Sequence, residues 1–156
     1  MNIGICGARP SIVIEGIDEI VKILVDKIIV DRHHVQAIAS LGFNMNLLRY
    51  LKHKGGLFDL HLWGPTHFMI KKWRSEEDKE TLQMCMGRAR DIFIPKDMIT
   101  RKESIYHRNK IYSSMCDWVI IVTPEELDGD LADISKMAKN LYIIRSLADA
   151  KELKKL

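Results

Sequence analysis

A three-layer α/β domain with a mostly parallel sheet is what this sequence predicts, on three observations. Short apolar runs alternate along the chain with longer segments of three-to-four-residue periodicity, the pattern of strands that return through helical crossovers. The run Trp118–Thr123 is uncharged and rich in β-branched residues, which suits a strand covered on both faces rather than one with a wet side. At 156 residues, 47% of them hydrophobic, the chain fits one domain with a full core and leaves little room for a second.

Taken in order, Asn2–Cys6 is a short buried strand that stops at Gly7-Ala8-Arg9-Pro10. From Glu15 to about Val30, Ile17, Ile20, Val21, Leu24 and Ile28 recur among acidic and basic residues, which predicts an amphipathic helix. Val35–Ser40 is the second strand; a turn over Leu41–Asn44 leads into the helix MNLLRYLKHKGG, ended by Gly55 or Gly56. Leu57–Trp63 supplies the third strand, closed by Gly64-Pro65, and after a connection over Thr66–Arg74, Ser75-Glu76-Glu77-Asp78 opens a helix running to about Arg88. Asp91–Ile94 is a fourth strand, followed by a charged loop, Lys96–Ser104, carrying Arg101 and Lys102.

A polar helical stretch with Arg108 and Asn109 precedes the central strand Trp118–Val122, and an acidic turn over Glu125–Asp130 opens the next helix. Leu141–Ile144 is the last strand, and Ser146 with Asp149 caps a short C-terminal helix. Asp117, just ahead of the central strand, is expected to accept hydrogen bonds from neighbouring backbone or from Arg108, a structural role. Strands and helices alternating at this spacing make a Rossmann-like domain.

Composition narrows the function. A net charge of +3, from 24 Lys plus Arg against 21 Asp plus Glu, permits an anionic ligand without demanding nucleic acid. Cys6, Cys85 and Cys116 are an odd set without CxxC, each in apolar surroundings, which predicts buried thiols in a reducing compartment. No leader pattern and no apolar run of membrane-spanning length occurs, so a cytoplasmic protein is expected. His33-His34, His61 and His67 could be imagined with Cys85 or Cys116 around a metal, but no pair has helical ligand spacing and no HExxH is present; neither metal nor cofactor is expected. Trp63, Trp73 and Trp118 read as packing residues, and Met84, Met86, Met98 and Met115 as core filler. GxGxxG, GxxxxGK[ST] and GxSxG are all missing, which removes the standard dinucleotide, P-loop and serine-hydrolase hypotheses.

In parallel sheets the ligand sits at the carboxyl ends of strands, where the strand order reverses, and three loops suit that place. Gly7-Ala8-Arg9-Pro10 brings a glycine for close backbone approach and a guanidinium for a phosphate or carboxylate. Ser40-Leu41-Gly42-Phe43-Asn44 offers a hydroxyl, a glycine and a helix cap. Asp128-Gly129-Asp130-Leu131 puts a glycine at a helix N-terminus, with carboxylates able to accept from ribose hydroxyls or a base. Arg108 and Asn109 are either site residues or the solvated face of their helix.

The segments GICGARP, AIASLGFNMNLLRYLKHKG and HRNKIYSSMCDWVIIVTPEELDGDLADISKMAK together resemble the SLOG superfamily of Rossmann-like domains. That group includes the DNA-processing protein A core, the Lonely Guy and "lysine decarboxylase-like" phosphoribohydrolases, and small nucleotide-binding proteins. The matching positions are Gly7, Ala8 and Arg9; Ser40, Gly42 and Asn44; Arg108 and Asn109 ahead of Asp117; and Gly129 with Leu131. Two departures stand out: the second loop lacks the usual glycine richness, and the third lacks the Pro-Gly-Gly-x-Gly-Thr-x-x-Glu signature whose glutamate serves the phosphoribohydrolases. The resemblance implies a small-molecule nucleotide-like ligand and, together with the hydrophobic helix Glu15–Val30, a homodimer; the lack of a membrane-spanning apolar run predicts no membrane partner.

Three functions are open at this point. The first is binding of a nucleotide or related phosphorylated ligand at Gly7, Ala8, Arg9, Ser40, Gly42, Asn44, Arg108, Asn109, Gly129, Asp130 and Leu131. The second is an N-glycosidic-bond enzyme of the phosphoribohydrolase or nucleoside deoxyribosyltransferase type, using Glu125, Glu126 or Asp130. The third is a single-stranded DNA binder using Arg9, Arg49, Lys52, Lys54, Arg101 and Lys102, which the near-neutral charge disfavours.

Overall fold

A computed structural model of the chain describes residues 1–31, 33–53, 60–63, 73–94 and 100–153. Among these residues six strands, β1 (Asn2–Gly7), β2 (His34–Ile38), β3 (Leu60–Trp63), β4 (Asp91–Phe93), β5 (Trp118–Val122) and β6 (Leu141–Ile144), form one sheet in the order β4-β3-β2-β1-β5-β6. Every neighbouring pair is parallel. The chain steps outward from β1 to β4, then returns to the other flank for β5 and β6, so the order reverses between β1 and β5. β5 and β6 have the bounds the sequence predicts. β2 starts a residue before Val35 and stops two short of Ser40, β4 stops before Ile94, and the expected start of β3 at residues 57–59 lies outside the described residues.

The helices among the described residues are α1 (Ile17–Asp31), α2 (Phe43–Leu51), α3 (Glu76–Arg88), α4 (Arg101–Met115), α5 (Gly129–Met137) and α6 (Leu147–Glu152). Strand alternation sends Ile3, Ile5, Val35, Ala37, Ile120 and Val122 into a core with α1, α2, α3 and α6. The other face, with Cys6, Ile38, Val119 and Ile121, packs on Tyr112 and Cys116 of the α4 end and Ile134 of α5. A Cβ on Gly4 would lie 2.5 Å from the Tyr112 hydroxyl and 2.7 Å from Cys116 Sγ, so only a glycine lets α4 lie this close to β1. No described helix is long and apolar enough to cross a membrane.

Several sequence readings are corrected. α2 ends at Leu51 rather than near Gly55 or Gly56, because Leu47, Leu48 and Leu51 complete its buried face and Lys52 then turns to donate to Thr81 Oγ1 at 3.2 Å. Arg101 and Lys102 are not in a loop: Thr100 accepts from the Glu103 N–H at 3.1 Å, a Thr-x-x-Glu cap that places both in the first turn of α4. Met84, Met86 and Met115 are exposed rather than core filler, α3 burying Thr81, Leu82 and Cys85 instead. Trp63 and Trp73 are buried, and Trp118 packs against the larger core. Ser75 and Ser146 cap their helices as expected, accepting from the N–H groups of Asp78 and Asp149. All three cysteines are free and buried. Asp117 Oδ2 accepts from the Asn2 N–H at 2.8 Å, so its partner is backbone and not Arg108. Gly64-Pro65, the connection through residue 72, His67, Met98 and Lys54 lie outside the described residues.

Candidate functional site at the carboxyl edge of the sheet

The loops after β1 and β2 are joined to each other before they meet any ligand. Ala8 N–H donates to Val122 O at 3.0 Å, and Ala8 O accepts from Phe43 N–H at 3.0 Å, so the first loop caps the first turn of α2. Asn44 adds a second link, its Oδ1 accepting from the Gly7 N–H at 3.1 Å while its Nδ2 donates to Ser40 Oγ at 2.6 Å. Gly42 has φ +81°, and a Cβ there would lie 2.5 Å from Ala8 O. Gly42 is therefore pressed against the first loop, and it does not line the cavity described next.

At the β1/β5 reversal lies a cavity of about 380 Å³. Gly7, Ala8, Arg9, Ser40 and Asn44 line it from the first two loops, Gly129, Asp130 and Leu131 from the third, and Arg108 from α4. Asn109 is fully buried and stays outside it, holding its neighbour's guanidinium. Sequence reasoning did not assign Arg101 and Ile105 of α4 or Thr123 at the end of β5 to this place, yet all three line it. The Thr100 cap was the available signal, since a helix starting at Arg101 carries 101, 105 and 108 on neighbouring turns. Glu125 and Glu126 are exposed and are not among the lining residues.

Arg108 dominates the electrostatics. It is 3% exposed, and its Nε and Nη2 both donate to Asn109 Oδ1, at 3.2 and 2.9 Å. The nearest carboxylate, Asp130 Oδ2, is 4.0 Å from Nη2. Burial pulls the guanidinium's pKa below its ordinary value, and Asp130 opposes that shift. The solvated-face reading of Arg108 and Asn109 is therefore overturned. Arg9, by contrast, lies in solvent, its Nη1 3.4 Å from Asp128 Oδ2. Asp128 occupies the N-cap of α5 but its side chain makes no capping bond. Beneath the site, burial pushes the Cys6 thiol up to about 12 despite Arg108, so it is no nucleophile at neutral pH. Among the described residues no three His, Cys, Asp or Glu side chains gather as a metal site.

Compared with models of protein families and with curated proteins, the chain finds no match.

Proposed function

We propose that the protein binds a nucleotide or a related phosphorylated small molecule in this cavity. The observation that carries the reading is Arg108, a cation removed from water whose strongest partner is a neutral amide and whose nearest carboxylate stands at 4.0 Å. A buried guanidinium left so incompletely matched is stabilised by an anion that arrives with the ligand. The uncapped first turn of α5 beside it favours the same charge. Arg9 and Arg101 add positive charge from the surrounding lining, and Asp128 and Asp130 are acceptors for ribose hydroxyls or a base. The location at the strand-order reversal, the volume and the resemblance to SLOG domains all support this class of ligand.

The other readings have less behind them. Of the three acids an N-glycosidic enzyme would call on, only Asp130 lines the cavity. The basic residues of a single-stranded DNA binder are divided: Arg9 and Arg101 line the cavity, while Arg49 pairs with Asp78 at 2.5 Å and Lys52 bonds Thr81, both between α2 and α3. Titration calorimetry with nucleoside mono-, di- and triphosphates and inorganic phosphate tests the proposal. Saturable one-to-one binding of at least one nucleoside phosphate is expected; a panel in which nothing binds removes the reading.

A further inference from the structure

Towards the amino ends of β2, β3 and β4 a second group of polar side chains meets on the sheet face that α4 partly covers. The register sets Gln36 opposite His61 and His61 opposite Asp91, and His34 lies two residues before Gln36 on the same face. His34 Nδ1 and His61 Nε2 are 3.1 Å apart, with ring centroids at 5.3 Å. On its far side, His61 Nδ1 stands 3.0 Å from Asp91 Oδ2. The three open into a groove of about 740 Å³ that Met1, Asn2, Arg90 and Met115 also line.

The carboxylate decides the chemistry of the pair. With Asp91 Oδ2 accepting from Nδ1–H, a neutral His61 would carry its lone pair on Nε2, the nitrogen facing His34. Two imidazole nitrogens bound at about 2.0–2.1 Å to a tetrahedral ion stand about 3.3 Å apart, close to the spacing already built here. A carboxylate behind a ligating histidine is also the usual support for such a ligand.

We propose that His34 Nδ1 and His61 Nε2 bind one divalent transition-metal ion of the zinc or cobalt kind, with Asp91 orienting His61 from behind. Binding replaces the hydrogen bond between the rings, and His34 then carries its remaining proton on Nε2. Gln36 is not a ligand, because its amide is taken by Asn2 Oδ1 and the Trp63 indole N–H. Among the described residues no third His, Cys, Asp or Glu joins the pair. Ligand-spacing rules for a single helix or loop do not detect such a pair, since the two residues come from neighbouring strands. The site stands apart from the carboxyl-edge cavity and is independent of its ligand.

Titration of the intact protein with Zn²⁺, and with Co²⁺ followed by its visible absorption, tests the proposal at neutral pH. One equivalent of each ion is expected to bind. His34→Ala and His61→Ala each should lose at least about tenfold in affinity, Asp91→Asn about tenfold, and the exposed His53→Ala nothing. Paramagnetic shifts of the His34 and His61 ring protons on adding Co²⁺ to wild type give a readout that needs no variant. Absence of stoichiometric binding, or Co²⁺ shifts at other histidines with these two unmoved, overturns it.

Discussion

The N-termini of α2 and α5 both face the carboxyl-edge cavity, yet they are built in opposite ways. At α2 the first N–H already donates to Ala8 O, Gly42 is pressed against the first loop, and Asn44 ties Gly7 to Ser40. At α5 no side chain caps the first turn, and a Cβ on Gly129 would touch nothing within 4 Å. Backbone donors used within the fold are not available to a ligand, so the first two loops form a wall, and under the proposed function it is the third, with Arg108, that receives the anion. Similar glycine-bearing sequences thus do different work.

Breaking the wall should have the largest effect. Gly42→Ala forces a left-handed φ on a residue with a side chain and drives Cβ into Ala8 O, so a loss of at least about 3 kcal/mol is expected in urea unfolding. Asn44→Ala strands the buried Gly7 N–H and should cost about 1–3 kcal/mol in the same measurement. Gly129→Ala meets only the strain of φ +49°, with no clash, and should cost about 1 kcal/mol. A Gly129→Ala penalty as large as that of Gly42→Ala would erase the distinction between the two helix starts. Smallest of all, Arg9→Ala removes an exposed ion pair and should change stability by less than about 0.5 kcal/mol, while weakening nucleotide affinity by about tenfold or less in calorimetry.

The sequence carried the sheet well because buried parallel strands leave an unmistakable mark. Trp118–Val122 and Leu141–Ile144 are bounded by sharp changes in polarity, and their ends coincide with those of β5 and β6. α4 was the hard element. Its buried side is Ser104, Arg108, Asn109, Tyr112 and Ser113, so it has no apolar period to read, and only the Thr100–Glu103 cap marks its start. At the candidate site, the three loops could be placed at one edge from strand order alone. Which glycine is pressed against another loop and which is left open depends on distances between loops far apart in sequence, as between Ala8 and Gly42, and no local pattern encodes them. The cross-strand pairing of His34 and His61 was out of reach for the same reason.

Thermal unfolding of Arg108→Met, with and without the nucleoside phosphate that binds wild type most tightly, tests most directly whether Arg108 is buried for a ligand or for the fold. Removing an incompletely paired buried cation, at the cost of both its donors to Asn109 Oδ1, should leave the free protein within about 1 kcal/mol of wild type. The ligand at a hundredfold excess over its Kd stabilises wild type by about 2.7 kcal/mol, a rise of about 5 °C or more, and that rise should vanish in the variant. A free variant that melts far below wild type while keeping the full ligand-induced rise would make Arg108 a structural residue and contradict the proposed site.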